Sequence, residues 1–319
     1  MSFWKNNIKI GAKEFPRFIG GPMDGVTDSP FRKLVREFSK DELLYTEMRH
    51  TSCIAHDKGV TRSLDFGQDE RPLNFQLTTN SIDHIKPAIE KALAIGIDAV
   101  DLNIGCPAKN VVKSGSGSLL MSDVPFLEKI LKEFRRNLQI PFTVKMRAGF
   151  KHKNAIEVAK LVQDCGADAL TIHPRLQTER FAGVPDYDLA ALVKKTLNIP
   201  IIFSGEIVDW SSAKRTYEQT GADGFMVSRG LYGAPWRLKE LKLKSLDEPF
   251  VVDNKLILFC AIKHLENLLD YFGEHGIYCF RKHLPHYIKG IPGAAQLRKK
   301  LIVSDSVAEV KEGLLSFLG

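Results

Sequence analysis

"AVDLNIGCPAKN", residues 99–110, alternates apolar and polar side chains and then stops at Gly-Cys-Pro. Successive side chains of a strand point to opposite faces, so Leu102 and Ile104 share one face while Asp101 and Asn103 share the other. A strand that only had to pack would not spend a carboxylate and an amide on its second face. Buried polar atoms need partners, either from the fold or from a ligand.

Seven further segments have a similar cast: "FIGGPM" (18–23), "LLYTEM" (43–48), "PLNFQLTT" (72–79), "FTVKMRA" (142–148), "ALTIHPR" (169–175), "IPIIFSGE" (199–206) and "GFMVSRG" (224–230). Between most of them lie stretches with helical apolar spacing, such as Ile82, Ile85, Ile89 and Leu93. "GIDAV", "GADAL" and "GADGF" each lead into a strand. Strand and helix alternating eight times predict a (β/α)8 TIM barrel. A doubly wound sheet would more usually carry an early GxGxxG turn, which "FIGGPMDG" does not match. After Pro235 the pattern is helical without strands, and "SLDEP" (245–249) reads as a linker. Residues 1–242 are therefore expected to form the barrel and 243–319 a small all-helical C-terminal domain.

The chain has 319 residues, 44% hydrophobic and 26% charged, as in ordinary globular proteins. No apolar stretch reaches the ~20 residues of a membrane span. "MSFWKNNIKIG" lacks the apolar core of a signal peptide, so a cytoplasmic, membrane-free protein is expected. The five cysteines (53, 106, 165, 260 and 279) are odd in number and form no CxxC pair. Neither a disulfide framework nor a metal site is expected, and Cys165 and Cys260 read as buried thiols. A monomer is expected.

Net charge is +7, and six of its cations fall in one window. From His275 to Ser304 there is no Asp or Glu, yet Arg281, Lys282, Lys289, Arg298, Lys299 and Lys300 are present. A short charge run is usually a solvated face; a window this long without an anion points to RNA phosphates.

Strand phase gives the interior. With Phe75, Leu77, Leu102, Ile104, Phe142, Val144, Met146 and Ile172 against the helices, Asn74, Gln76, Asp101, Asn103, Thr143, Lys145, Arg147, Thr171, His173 and Arg175 turn inward. Gln76, Asn103, Lys145 and His173 fall near strand C-termini, where barrel enzymes place their chemistry. A plainer reading is a salt-bridged layer in which Lys145 and Arg147 pair with Glu47 or Asp101. A flat polar ligand accounts better for four polar residues in matching phase. "SGE" (204–206) and "SRG" (228–230) follow strands seven and eight, the usual phosphate cradle of this fold, where Arg229 can add a charge-assisted bond. Cys106 lies in a rim loop above that ligand, and a thiol that is mostly protonated at neutral pH can donate a proton. "KSGSGS" (113–118) reads as a mobile lid.

At "GPMDGVTDSPFR" (21–32), "NFQL" (74–77), "DLNIGCPAKNVVKSGSGSLLM" (101–121), "VKMRAG" (144–149), "TIHPR" (171–175), "SGEI" (204–207) and "SRGLYGAPW" (228–236) the chain resembles the tRNA-dihydrouridine synthase family. Its tail (280–301) is similar to the tRNA-binding domain of the bacterial B type. The resemblance implies an FMN-dependent enzyme that uses NADPH to reduce the C5–C6 bond of specific uridines in tRNA. By motif, Pro22, Met23 and Asp24 would contact the flavin, and Gln76, Lys145 and His173 its ring and ribityl chain. Ser204, Gly205, Glu206, Ser228 and Arg229 would hold its phosphate, Asn103 would orient flavin or uracil, and Arg175 would meet the substrate. Hydride would reach C6 from the reduced flavin and a proton would reach C5 from Cys106. The six tail cations would contact the tRNA. The family more often has Asn where Ser204 stands and Gly where Ser228 stands. Two rivals remain on the residues alone: a small-molecule FMN barrel enzyme such as a dihydroorotate dehydrogenase, and an RNA-binding barrel without chemistry.

Overall fold

The computed structural model of the chain describes residues 2–58 and 64–319. A short antiparallel hairpin, β1 (Ile8–Ile10) and β2 (Lys13–Phe15), precedes the barrel. The parallel strands follow as β3 (Phe18–Gly20), β4 (Leu44–Tyr45), β5 (Arg49–His50), β6 (Leu73–Thr78), β7 (Ala99–Ile104), β8 (Phe142–Gly149), β9 (Ala169–Leu176), β10 (Ile201–Ser204) and β11 (Gly224–Val227). The ring closes where β11 pairs with β3 and where β4 pairs with β6. The architecture is thus the eight-stranded closed TIM barrel that the alternation predicts, with β5 as a short extra pairing beside the upper end of β6.

The helices bury the faces their spacing dictates. In Ile85–Ala94, residues Ile85, Ala88, Ile89 and Ala92 are buried, and in Val124–Arg136 the buried set is Leu127, Ile130, Leu131 and Phe134. Asp123 caps the latter by accepting the Phe126 N–H at 3.0 Å. Gly221 ends Trp210–Thr220 at φ +64°, a conformation that costs glycine least.

The repeated Gly-x-Asp has a structural use. Asp98 accepts the N–H of Leu73 at 2.9 Å, Asp168 that of Phe142 at 2.8 Å and Asp223 that of Ile201 at 2.8 Å. Each carboxylate thus satisfies the start of the strand before its own. Each also pairs with a cation: Asp98 with Arg71, Asp168 with Arg135 and Asp223 with Lys194.

Inside the ring the chemistry is graded from bottom to top. At the N-terminal end Ile19, Tyr45, Ala169, Ile202 and Met226 pack with Ile8, Ile10 and Phe15 of the hairpin, which plugs the barrel. Above them Asn74, Thr143 and Asp101 are buried and bonded to one another. Polar groups therefore collect toward the C-terminal mouth.

After Trp236 the chain is helical. Helix Arg237–Ser245 places Leu238 and Leu241 in the barrel's core. Asn254–Phe272, Gly276–Phe280, Leu284–Tyr287, Ala294–Leu301 and Val307–Leu318 share a second core with Leu34, Ala234 and Trp236. Two of these helices, Gly276–Phe280 and Leu284–Tyr287, are short. Among the described residues, no helix is long and apolar enough to cross a membrane.

Candidate active site

Polar residues on neighbouring strands of the upper barrel hold one another in place. Gln76 donates to Asp101 at 2.8 Å, Thr143 donates to the other Asp101 oxygen at 2.6 Å, and Asn103 Nδ2 donates to Gln76 Oε1 at 3.0 Å. Burial pushes the Asp101 carboxyl up to about 6, against those hydrogen bonds. Asn103 spends its oxygen on the chain itself: Oδ1 accepts Gly105 N–H at 2.9 Å and Cys106 N–H at 2.8 Å. The polar face of "DLNIGCP" is thus a scaffold for the turn that carries the cysteine.

Above this layer lies a cavity of about 700 Å³, within the usual range for small-molecule sites. Pro22, Met23, Asp24, Asn103, Cys106, Lys145, His173, Ser204, Gly205, Glu206, Ser228 and Arg229 all line it, so twelve residues singled out from the sequence converge here. Gln76 does not; it is buried one layer below, behind Asn103.

Lys145 is the cation of the inward set that its neighbours leave unpaired. Neither salt bridge of the plainer reading forms. Asp101 is held by Gln76 and Thr143, Glu47 pairs with Arg49, and Arg147 is bonded to the carbonyls of Gly105, Leu176 and Arg180. Among the described residues the Lys145 ammonium has no hydrogen bond or ion pair, and burial with Arg147 nearby pushes it down to about 8. Burial and the surrounding cations Lys145, Arg147, Arg175 and Arg229 hold His173 neutral, at about 2. Arg175 donates to His173 Nε2 at 3.3 Å, which leaves the His173 proton on Nδ1.

Arg175, expected to meet substrate, is 1% exposed. It is taken up by Glu206, the Gly183 carbonyl and His173. The pair fastens the loop after β10, where Glu206 adopts φ +55°. At Gly205 a β-carbon would come 3.3 Å from the His173 ring, and at Gly230 2.5 Å from the Ile207 carbonyl. The loops after β10 and β11 therefore meet backbone to backbone, as a phosphate cradle requires.

Cys106 is half-buried at the rim, and burial raises its thiol above the ordinary value despite Lys145 and Arg147 nearby. The glycine-rich loop behind it is not a free lid. Ser116 and Ser118 are fully buried, Gly117 N–H donates to Thr78 Oγ1 at 3.2 Å and Ser118 N–H to the Cys106 carbonyl at 3.1 Å. Its glycines serve backbone geometry, φ +85° at Gly115 and +62° at Gly117.

Three lining residues, Phe181, Tyr232 and His286, carry no sequence signal that marks them for the site, whereas Lys289 is one of the expected tail cations. Phe181, 55% exposed, lies beneath the guanidinium groups of Arg229 at 4.9 Å and Arg147 at 5.5 Å. Tyr232 stacks on His286 at 4.6 Å, and His286 and Lys289 bring the helical tail to the cavity wall. Of the six tail cations, Arg281 pairs with Asp305 and Lys300 with Glu309, anions just outside the acid-free window. Lys282, Lys289, Arg298 and Lys299 are exposed and make no ion pair among the described residues.

A closed α/β barrel with a cation-bearing cavity at its C-terminal mouth is the plan of a barrel enzyme. The family model described as dihydrouridine synthase matches residues 19–317. A probable tRNA-dihydrouridine synthase 1 of Synechocystis sp. is 36% identical, over 98% of this chain and 89% of its own. The tRNA-dihydrouridine synthase B of Pseudomonas aeruginosa is 30% identical, over 91% and 90%. Among solved structures, an old yellow enzyme homologue from Zymomonas mobilis superposes with a TM-score of 0.59 at 12% identity, covering 78% of this chain and 94% of that one. The chain belongs to the dihydrouridine synthase family and is an oxidoreductase.

Proposed function

We propose that this protein reduces the C5–C6 bond of selected uridines in tRNA, with FMN held at the barrel mouth and NADPH as reductant. The observation that carries the reading is one cavity faced by an unpaired Lys145 ammonium and a protonated Cys106 thiol. The residues fit the cofactor. The cavity floor offers the Lys145 cation, and Gly205 and Gly230 sit where a side chain would crowd the wall.

Ser204, Ser228, Arg229 and the backbone about Gly205 would take the phosphate. Lys145 would sit against the edge of the ring that gains negative charge, with neutral His173 beside it. When bound, the flavin supplies a hydride to C6 of the uracil. Cys106 supplies the proton that C5 then needs: its raised pKa keeps the thiol protonated at neutral pH, and Asn103 fixes its backbone. Gln76 acts through Asn103, and Arg175 through the loop bearing Glu206.

The helical tail, residues 243–319, would bind the tRNA. It reaches the cavity through His286 and Lys289, and among the described residues Lys282, Lys289, Arg298 and Lys299 of its acid-free window make no ion pair. Drawing a uridine out of its stack costs a few kcal/mol, which phosphate contacts can offset.

The test is to incubate the purified protein with FMN, NADPH and unmodified tRNA, and in parallel with uridine monophosphate. Dihydrouridine is expected in the tRNA by mass spectrometry. Reduction of the mononucleotide at an equal rate would favour a small-molecule reductase, and no reduction of either would defeat the reading.

A further inference from the structure

Behind the thiol at the cavity rim lies a histidine that is not part of the cavity lining. His50 ends β5, in register with Thr78 of β6. Its Nδ1 accepts the backbone N–H of Ser52 at 3.2 Å and so caps the helix Thr51–Ala55. An acceptor at Nδ1 places the proton of a neutral imidazole on Nε2. Burial and nearby His84 hold this histidine below its ordinary pKa, so neutral is its state at pH 7. Nε2 lies 3.0 Å from Ser116 Oγ and donates to it.

Ser116 is fully buried and opens the three residues that back the cysteine turn. Gly117 N–H donates to Thr78 Oγ1, which donates in turn to the Asn103 carbonyl at 3.1 Å. Ser118 N–H bonds the Cys106 carbonyl. A β-carbon on Gly117 would stand 2.9 Å from that carbonyl and 3.2 Å from Cys106 Cβ, so the two segments are in direct contact. Ser116 thus adjoins the two residues that touch Cys106 directly.

We propose that His50 is a positioning residue for the proton donor, clamping the Cys106 turn through its Nε2–H bond to Ser116. This rests on the reading of Cys106 as the acid. The clamp itself is a geometric statement that can be checked without the reaction. Misplacement of a reacting group by about 1 Å can cost ~10²-fold in rate, so the loop behind the thiol matters even though no ligand meets it.

The full-length protein is compared with His50→Asn, Ser116→Ala and the double variant. Asparagine still caps the helix through its side-chain oxygen but is too short to reach Ser116, so a purely structural role for His50 leaves it silent. Two readouts are taken: hydrogen exchange at the Gly117 and Ser118 amides, and kcat against KM for tRNA. Both single variants are expected to speed exchange at those amides and to lower kcat roughly 10–100-fold with KM for tRNA unchanged. The double variant should be no worse than either single one, since both remove the same bond. Unchanged exchange in His50→Asn, additive losses, or faster exchange with unchanged kcat would each overturn the proposal. Wild-type turnover by Cys106→Ala would instead overturn the underlying assignment of the acid, and the exchange data tell the two failures apart.

Discussion

Asn103 Oδ1 accepts the backbone N–H of Cys106 at 2.8 Å while its amide nitrogen donates to Gln76. One side chain thus links the buried polar layer to the turn that carries the thiol. Asn103→Ala removes both bonds at once, together with the one Oδ1 accepts from Gly105 N–H. It should lower kcat roughly 10–100-fold while tRNA affinity stays within about twofold. A loss confined to affinity would show that Asn103 serves the ligand rather than the turn.

Asp168 illustrates how the barrel is stitched. Asp168→Ala leaves the Phe142 N–H without its acceptor and takes the carboxylate partner from Arg135, a loss of about 1–3 kcal/mol in urea unfolding. Asp168→Asn keeps an acceptor for the amide and should lose less. Equal losses would mean that the charge, not the strand cap, is what counts.

Lys145 gives a pH dependence with a definite sign. Its ammonium titrates at about 8 in the fold instead of 10.5, because burial and Arg147 disfavour the charge. Between those values the unfolded chain binds the extra proton, so the contribution of Lys145 to stability rises with pH across the window. Lys145→Met should therefore be more stable than the ligand-free wild type at pH 7, by up to about 3 kcal/mol at 1.36 kcal/mol per unit. The gap should close above pH ~10.5, and saturating FMN should narrow it at pH 7. A gap that ignores pH and FMN would remove the unpaired charge from the picture.

The tail cations divide into two groups. Neutralising Lys282, Lys289, Arg298 and Lys299 together should weaken tRNA binding and flatten its salt dependence, the log–log slope falling by about 0.7–0.9 for each phosphate that no longer meets a cation. Neutralising Arg281 and Lys300, already paired with Asp305 and Glu309, should change the slope less. Equal effects would place the RNA elsewhere on the tail.

Much of the barrel is legible in the sequence because a strand has a period of two. Once Leu102 and Ile104 are assigned to the helices, Asp101 and Asn103 can only point inward, and the same step places Lys145 and His173. Strand phase does not tell whether an inward group meets a ligand or a neighbour, which is why Gln76 and Arg175, expected at the site, lie behind it. Phe181, Tyr232 and His286 sit on loops and on the tail, where no periodicity constrains direction. The Gly-x-Asp repeat is visible, but its partner is the strand before, 22–26 residues upstream, a pairing that only closure of the ring creates. The glycines of 113–118 suggest mobility in the sequence and serve positive φ in the fold.

The central claim is that Cys106 delivers the second hydrogen to a uracil held at this mouth. It is tested most directly by measuring dihydrouridine formation and tRNA affinity in the same preparation of Cys106→Ala, with FMN content checked by absorbance. Turnover should fall roughly 10²–10⁴-fold, with FMN content and tRNA affinity as in the wild type. Turnover at the wild-type rate would contradict it.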